Sequence, residues 1–223
     1  MSFNDNTQSV IVGGTSGIGR AVADALAQRP GTVTRASGST GLDIADPQAI
    51  QAWFEQHGPV DHIVFTAGSQ APGGSVEEVD VEAAKAAFDI KFWGAIGVAQ
   101  AAASHLRPGG TLTLTSGFLA RRTVPGTFVK TAINAALEAT VKLLAKELAP
   151  LRVNIVSPGL TDTEAYSAMD DEKRRQMLES TAAKLPAGRV AQPEDVAAGY
   201  LFAIDNLSMT GAIIDIDGGA LIN

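Results

Sequence analysis

One stretch near the N-terminus decides the fold of this chain: Val10-Ile11-Val12-Gly13-Gly14-Thr15-Ser16-Gly17-Ile18-Gly19-Arg20. A short β-branched run leads into a glycine-rich turn, and a helical pattern follows with Ala21, Val22, Ala25 and Leu26 on one face. The pattern predicts strand, tight turn and helix, which together open a βαβ unit. Glycines allow the sharp bend, let the backbone approach a pyrophosphate, and let the helix pack close to the strand. The helix start then presents free N–H groups to a phosphate, so we predict a nucleotide-binding turn.

The composition is that of a globular protein with a substantial core. The chain has 223 residues, of which 45% are hydrophobic and 18% charged, and we expect one domain over residues 1–223. No apolar run is long enough to span a bilayer, so we expect no membrane partner. The absence of cysteine favours a cytoplasmic location and argues against a thiolate metal site, and we predict no metal centre. The net charge of −7 argues against a nucleic-acid partner, although local backbone dipoles and single arginines can still hold a phosphate.

Predicted strands and helices alternate along the chain. The strands are predicted over residues 10–12, 32–34, 42–44, 62–65, 111–115, 153–156 and 212–216. The helices of the central part are predicted over residues 47–57, 77–106 and 125–148, whereas residues 35–41 lack an apolar period and are predicted as a loop. Strands that are apolar on both faces and alternate with helices indicate a parallel sheet covered on each side. The predicted fold class is therefore α/β, a Rossmann-type doubly wound parallel sheet.

The glycine spacing is Gly-x-x-x-Gly-x-Gly, and it resembles that of the short-chain dehydrogenase/reductase family. The family turn reads Thr-Gly-x-x-x-Gly-Ile-Gly, and here Val12 replaces the threonine. Further matching motifs run over essentially the whole chain, at residues 152–159, 163, 188–190, 193–197, 210–211 and 217–219. The chain is identified as a member of this family, which implies a nicotinamide coenzyme and a homo-oligomer, either a dimer or a tetramer.

Loops that follow the strands are expected to form the coenzyme groove. In a doubly wound sheet the ligand lies past the carboxyl ends of the strands, where the strand order switches. We predict the following cofactor-binding residues: Gly13, Thr15, Ser16, Gly17, Ile18, Gly19, Arg35, Ser37, Asp43, Ile44, Ala67, Gly68, Lys91, Pro158, Gly159, Thr161 and Thr163.

The residue after the second strand selects the coenzyme. An NAD site normally keeps a carboxylate there, whereas an arginine accommodates the 2′-phosphate of NADP. This chain has Arg35 at that place, followed by Ser37, and an arginine fork matches phosphate geometry. We therefore predict NADP(H), with a solvated surface arginine as the alternative. By resemblance, Asp43 would bond the adenine amino group; the alternative is that it caps the following turn.

The proton-transfer residues depart from the family pattern. In the family, a tyrosine and a lysine four residues apart do the proton work, a serine positions the substrate carbonyl, and an asparagine on the preceding helix holds a relay water. Here the tyrosine position falls on Lys130, the lysine position on Asn134 and the asparagine position on Lys91, whereas the serine is kept as Ser116. Asparagine and lysine thus look exchanged between two facing helices. We hypothesise that Lys91 delivers its ammonium to the nicotinamide ribose while Asn134 takes the amide role.

The role of Lys130 stays open between three readings of its side chain. As a general acid it needs a pKa near neutrality, which desolvation and the ammonium of Lys91 can provide. Otherwise it only binds an anionic group, or it is solvated at an inactive site. Together with Lys91, Arg121 and Arg122 it favours a substrate that carries a carboxylate or phosphate, unless those arginines are ordinary surface residues. Residues 162–185 resemble the family's substrate lid, with a surface helix pair as the alternative.

These observations predict an NADP(H)-dependent oxidoreductase that transfers hydride between NADPH and a small carbonyl or alcohol substrate. The predicted catalytic residues are Ser116, Lys130, Lys91 and Asn134. The alternative is a catalytically silent NADP(H)-binding sensor or partner subunit, which the missing tyrosine favours. A lyase or isomerase on the same fold also stays open.

Overall fold

A six-stranded parallel sheet lies at the centre of the computed structural model, which describes residues 3–68 and 70–223. Its strands are β1 (Gln8–Val12), β2 (Thr32–Ala36), β3 (Val60–Phe65), β4 (Leu106–Thr115), β5 (Arg152–Pro158) and β6 (Ile213–Ile216). They pair in the order β2-β1-β3-β4-β5-β6, so the chain continues on one side of β1 and then on the other. This switch opens a crevice at the carboxyl ends of β1 and β3. The predicted Rossmann-type fold is confirmed.

Helices cover both faces of the sheet. They are α1 (Gly17–Leu26), α2 (Pro47–His57), α3 (Val81–Phe88), α4 (Gly94–His105), α5 (Phe128–Glu147), α6 (Asp171–Ala182) and α7 (Pro193–Asp205). Successive strand residues point to opposite faces. Val10 and Val12 therefore enter a core formed with α2, α4 and α5, while Ile11 enters the core formed with α1 and α7. None of the helices in the described residues is both long and apolar enough to cross a membrane.

The helix predicted over residues 77–106 is wrong in its start and in its continuity. It begins at Val81, because the carboxylate of Asp80 accepts a hydrogen bond from the N–H of Ala83 at 3.0 Å. A π-helical turn, Asp89–Trp93, separates α3 from α4 and carries Lys91. Such single π turns inside helices occur frequently at functional sites, and an apolar period does not reveal them.

The short strand predicted over residues 42–44 is also wrong. The N–H of Leu42 donates to the carbonyl of Ser37 at 3.0 Å, which ties the segment to its own turn rather than to a neighbouring strand. The carboxylate of Asp43 accepts from the N–H of Ala45 at 2.9 Å, as expected of a local cap. The loop predicted over residues 35–41 instead begins with the last two residues of β2 and contains one 3₁₀ turn, Gly38–Thr40.

A buried histidine on β3 couples the stability of the sheet to pH. The side chain of His62 is 1% exposed, its Nδ1 lies 2.9 Å from the hydroxyl of Thr111, and its ring stacks on Phe3. Its Nε2 has no hydrogen-bond partner among the described residues. Burial lowers the pKa of His62 to about 4, since the imidazolium would lose its hydration.

We expect the free energy of unfolding to fall as the pH drops from about 6.5 to 4. Over this range the unfolded chain takes up a proton at residue 62 that the folded chain excludes, so the contribution of His62 is complete above pH 6.5. At about 1.4 kcal/mol per pKa unit, the loss amounts to about 3 kcal/mol. Urea unfolding at several pH values gives the free energy of unfolding as a function of pH for the wild type and for His62→Asn. The slopes of these two curves are then compared. A His57→Asn control keeps the wild-type slope, and an identical slope in His62→Asn would refute the assignment.

Candidate functional site

The glycine turn brings α1 against the ends of two strands. The N–H of Gly13 donates to the carbonyl of Ala36 at 2.7 Å, which closes the turn over β2. A Cβ at Gly19 would collide with the carbonyl oxygen of Gly13 and with the hydroxyl of Thr66. Because only a glycine fits there, the start of α1 packs directly against the crevice between β1 and β3.

A groove of about 280 Å³ runs along this turn. It is lined by Gly13, Ser16, Gly17, Ile18, Gly19, Thr66, Ala67, Gly68, Gln70, Thr163, Glu164 and Ala165. Eight of the residues predicted to bind the coenzyme therefore meet in one place. Sequence reasoning missed Glu164, whose carboxylate accepts from the N–H of Gly17 at 2.9 Å and pairs with Arg20. A turn that holds a carboxylate in this way has the donors that a phosphate requires.

The end of β2 presents Arg35 to solvent. Its guanidinium Nη2 lies 2.5 Å from the carboxylate of Asp24 on α1, and both side chains are substantially exposed. Ser37 is the first residue after the end of β2, and its hydroxyl lies 2.8 Å from that of Ser39. Exposed ion pairs of this kind contribute little to stability, so a phosphate can compete for the arginine.

The remaining predicted coenzyme residues are distributed around the same rim. Asp43 and Ile44 line a shallow cleft of about 550 Å³ that also includes Leu42 and Ile90. Pro158 and Gly159, at and just beyond the end of β5, line the larger cavity described next. Thr15 is exposed in the turn. Thr161 is buried, and its hydroxyl donates to the carbonyl of Gly159 at 3.1 Å.

A second cavity, of about 370 Å³, adjoins the glycine turn and contains all four predicted catalytic residues. Lys91 reaches it from the π turn, Ser116 follows β4, and Lys130 and Asn134 lie one helical turn apart on α5. Much of the remaining wall is apolar, formed by Ile18, Ala71, Phe118, Leu119, Val124, Ile133 and Leu160. The four polar side chains therefore converge in a largely apolar pocket, which is the usual composition of a small-molecule site.

The ammonium of Lys91 contacts Asn134 across the cavity. Its Nζ donates to the Oδ1 of Asn134 at 2.8 Å and to the carbonyl of Ser116 at 3.1 Å. Lys91 enters this position because Gly68 leaves room for it: a Cβ there would lie 2.6 Å from the Cβ of Lys91. The two residues that look exchanged in the sequence are thus direct partners. An ammonium has three donors, so one N–H of Lys91 is left for a ligand.

The cavity also perturbs the ionisation of Lys91. Burial lowers its pKa to about 8, and the positive charge of Lys130 lowers it further in the same direction. Lys130 itself is exposed to the cavity, and its Nζ makes no hydrogen bond or ion pair with the described residues. Perturbed lysines in a concave site are typical of functional positions.

The hydroxyl of Ser116 is held by a residue that sequence reasoning missed. Its Oγ donates to the Oε1 of buried Glu138 at 2.9 Å, since an ionised carboxylate only accepts. Glu138 in turn pairs with Arg121, whose Nε lies 2.9 Å from Oε2. The helical spacing of Lys130, Asn134 and Glu138, four residues apart, was a usable signal, because it places all three on one face of α5.

Arg121 and Arg122, which the sequence analysis associates with an anionic substrate, do not line the cavity. Arg121 forms ion pairs with Glu138 and with Asp215, so its charge is already compensated. Arg122 donates to the carbonyl of Ala220. Both guanidinium groups hold the C-terminal segment and the wall of the cavity instead of facing its interior.

One of the two tyrosines lies at the cavity although it is remote in sequence. Tyr166 belongs to the 3₁₀ turn Glu164–Tyr166 after β5 and lines the cavity, and burial raises its pKa. Tyr200 is fully buried in α7, with its hydroxyl 2.6 Å from that of Thr115. The segment predicted as a lid, residues 162–185, therefore reaches the site through Tyr166.

Known proteins resemble this chain over nearly its whole length. The family model described as enoyl-(acyl carrier protein) reductase matches residues 31–220. A crystal structure of a small-chain dehydrogenase in complex with NADPH is 53% identical, covers 98% of this chain and 100% of that chain, and has a TM-score of 0.96. The chain belongs to the short-chain dehydrogenase/reductase family.

Curated members of the short-chain dehydrogenase/reductase family span almost the same length. An uncharacterised oxidoreductase of Methylorubrum extorquens is 32% identical and covers 98% of this chain and 99% of the relative. The short-chain dehydrogenase/reductase malC of Malbranchea aurantiaca is 29% identical and covers 96% of this chain and 94% of the relative. The family likeness therefore extends beyond the glycine turn to the helices and loops that form the cavity.

We expect Lys91 to titrate near pH 8 in this family member. In protein with ¹³C-labelled lysine, one Cε resonance should shift with a midpoint near pH 8, and it should be missing in Lys91→Met. Lys130→Met should raise the midpoint, because it removes a nearby positive charge, whereas Lys173→Met on α6 should leave it unchanged. A midpoint above pH 10 for Lys91 in the wild type would contradict the described environment.

Proposed function

We propose that this protein is an NADP(H)-dependent oxidoreductase that transfers hydride between NADPH and a small carbonyl or alcohol compound. The observation that carries the proposal is the meeting, at one rim of the sheet, of an anion-holding glycine turn and a cavity that contains Lys91, Asn134 and Lys130. Binding of NADPH by a relative that is 53% identical supports the coenzyme assignment.

The coenzyme fits the residues of the groove. Backbone N–H groups at the start of α1 would hold the diphosphate, as they now hold a carboxylate. Arg35 and Ser37 would hold the 2′-phosphate, and Asp43 and Ile44 would border the adenine. The third N–H of Lys91 would reach the nicotinamide ribose.

Replacing Arg35 by alanine should weaken NADPH binding by roughly 10- to 100-fold, because a charge-assisted bond to the 2′-phosphate is lost. Binding of NADH, which lacks this phosphate, should stay within about twofold. Isothermal titration calorimetry with both coenzymes measures the effect. Arg29→Ala is the matched control, since Arg29 pairs with Asp205 away from the groove. Equal losses for NADPH and NADH would contradict the role of Arg35.

In the proposed mechanism, other residues take the roles of the family's tyrosine–lysine pair. NADPH held in the groove would supply the hydride for the carbonyl carbon, and the carbonyl oxygen would then need a proton. Lys130, at the position of the family tyrosine, or a water molecule gives this oxygen its proton. Lys91 and Asn134 hold each other across the cavity at a hydrogen-bond distance of 2.8 Å.

Lys130→Met should lower kcat for reduction of a carbonyl substrate by roughly 100-fold or more, because the proton donor is removed. The affinity for NADPH should persist, since Lys130 does not line the glycine turn. NADPH oxidation against a panel of aldehydes and ketones, followed at 340 nm, identifies a substrate and compares the variant with Lys142→Met on the same helix. An unchanged kcat in Lys130→Met would assign the proton to another group.

The cavity favours a substrate with an apolar body and one anionic group. Its walls are largely apolar, and Lys130 is a cation without an ion-pair partner in the described part of the chain. In the alternative in which water supplies the proton, a carboxylate or phosphate on the substrate would pair with this ammonium. We also propose a homo-oligomer in the cytoplasm, as the family resemblance and the composition indicate.

A second candidate is a sensor or partner subunit that binds NADP(H) without turning over a substrate. Two observations favour it: Lys130 stands where the family has tyrosine, and the hydroxyl hydrogen of Ser116 is donated to Glu138 instead of the cavity. Coenzyme binding with no turnover on any carbonyl of the panel would support this candidate.

A further inference from the structure

The coenzyme groove contains a carboxylate that belongs to the segment after β5. Glu164 begins the 3₁₀ turn Glu164–Tyr166, and its side chain lies over the glycine turn. Its Oε2 accepts from the N–H of Gly17 at 2.9 Å, and its Oε1 pairs with the guanidinium of Arg20. The carboxylate therefore occupies the start of α1, where the backbone offers its donors to an anion.

Glu164 is charged in this position. Its pKa lies below the usual value, because its own backbone N–H, the N–H of Gly17 and the guanidinium of Arg20 all stabilise the carboxylate. Hydrogen bonds to an ionised group are stronger than neutral ones. A ligand that binds the same donors must displace the carboxylate and replace its hydrogen bonds with interactions of similar strength.

A coenzyme diphosphate needs these donors and carries the same sign of charge. The groove of about 280 Å³ is lined by both the glycine turn and Glu164, so a diphosphate on the turn would meet the carboxylate directly. Two anions within a few ångströms repel each other, and at this exposed site the competition for the shared N–H group adds to that repulsion. The carboxylate and the diphosphate cannot both occupy the N–H group of Gly17.

Resting on the coenzyme assignment above, we propose that Glu164 is an internal anion of the coenzyme site. Its carboxylate holds the diphosphate position in the free protein, and the coenzyme displaces it on binding. Glu164 thereby sets the coenzyme affinity below the value that the groove would otherwise give, since part of the binding energy is spent on the exchange.

The displacement also reaches the substrate cavity. Tyr166, two residues further on in the same 3₁₀ turn, lines that cavity. On the other side, Asp162 pairs with Arg174 of α6, and Arg174 also donates to the carbonyl of Thr163. Glu164 is thereby linked through its own turn to the cavity and, through Asp162 and Thr163, to Arg174 of α6.

The test is the dissociation constant for NADPH of Glu164→Gln and Glu164→Ala, measured by isothermal titration calorimetry. Both variants should bind NADPH roughly tenfold more tightly than the wild type, because alanine has no acceptor for Gly17, and glutamine is a weaker, neutral acceptor that does not repel the diphosphate. Circular dichroism checks that each variant is folded. The matched control is Glu172→Gln on α6, which removes the same charge from a carboxylate whose partners among the described residues are its helix neighbours Arg175 and Gln176.

A ligand without a diphosphate separates local competition from a general charge effect. Adenosine 2′-monophosphate should bind the wild type and Glu164→Gln equally, because it does not need the glycine turn. Equal or weaker NADPH binding in both Glu164 variants would overturn this inference alone. A gain of the same size for the monophosphate or in Glu172→Gln would overturn it too. Absence of NADPH binding to wild type and variants would overturn the proposed function, and this inference with it.

Discussion

The close approach of α1 to the ends of β1 and β3 is the constraint on which the site depends. No side chain fits at Gly19, because the carbonyl of Gly13 and the hydroxyl of Thr66 already occupy that space. Thr66 is fixed in turn by bonds from its N–H and its hydroxyl to the carbonyl of Val12, at 2.8 and 3.0 Å. With the backbone packed this tightly, α1 begins at the crevice, and its first N–H groups need acceptors. The carboxylate of Glu164 accepts from one of them, the N–H of Gly17.

Close packing also determines how Lys91 reaches the second half of the site. Lys91 approaches the cavity only because residue 68 is a glycine and because a π turn interrupts the helix at that point. Once there, its buried ammonium requires acceptors, and Asn134 and the carbonyl of Ser116 supply them. An asparagine at 134 is thus the complement of a lysine at 91: two lysines at these positions would place like charges in contact. The π turn and α5 thus share one lysine–amide pair.

Much of the sheet was predictable from the sequence, because β-branched runs such as Val10–Val12 report local structure directly. The glycine turn and the positions of Lys91, Lys130 and Asn134 were also accessible, since motif spacing reports which residues share an edge or a helix face. What escaped prediction depends on distant partners. The carboxylate of Glu164 meets Gly17 across 147 positions, and the guanidinium of Arg121 meets Asp215 across 94. The periodicity of a single segment does not encode such pairs. The strand predicted over residues 42–44 was wrong for a related reason, because a strand forms only beside a neighbouring strand.

The most direct test of this account is a crystal structure of the protein with NADPH. The account predicts the diphosphate on the N–H groups at the start of α1, the 2′-phosphate beside Arg35, and the nicotinamide ribose within hydrogen-bond distance of the Nζ of Lys91. A structure obtained at saturating NADPH in which that rim holds no coenzyme, or in which the nucleotide binds elsewhere on the molecule, would contradict it.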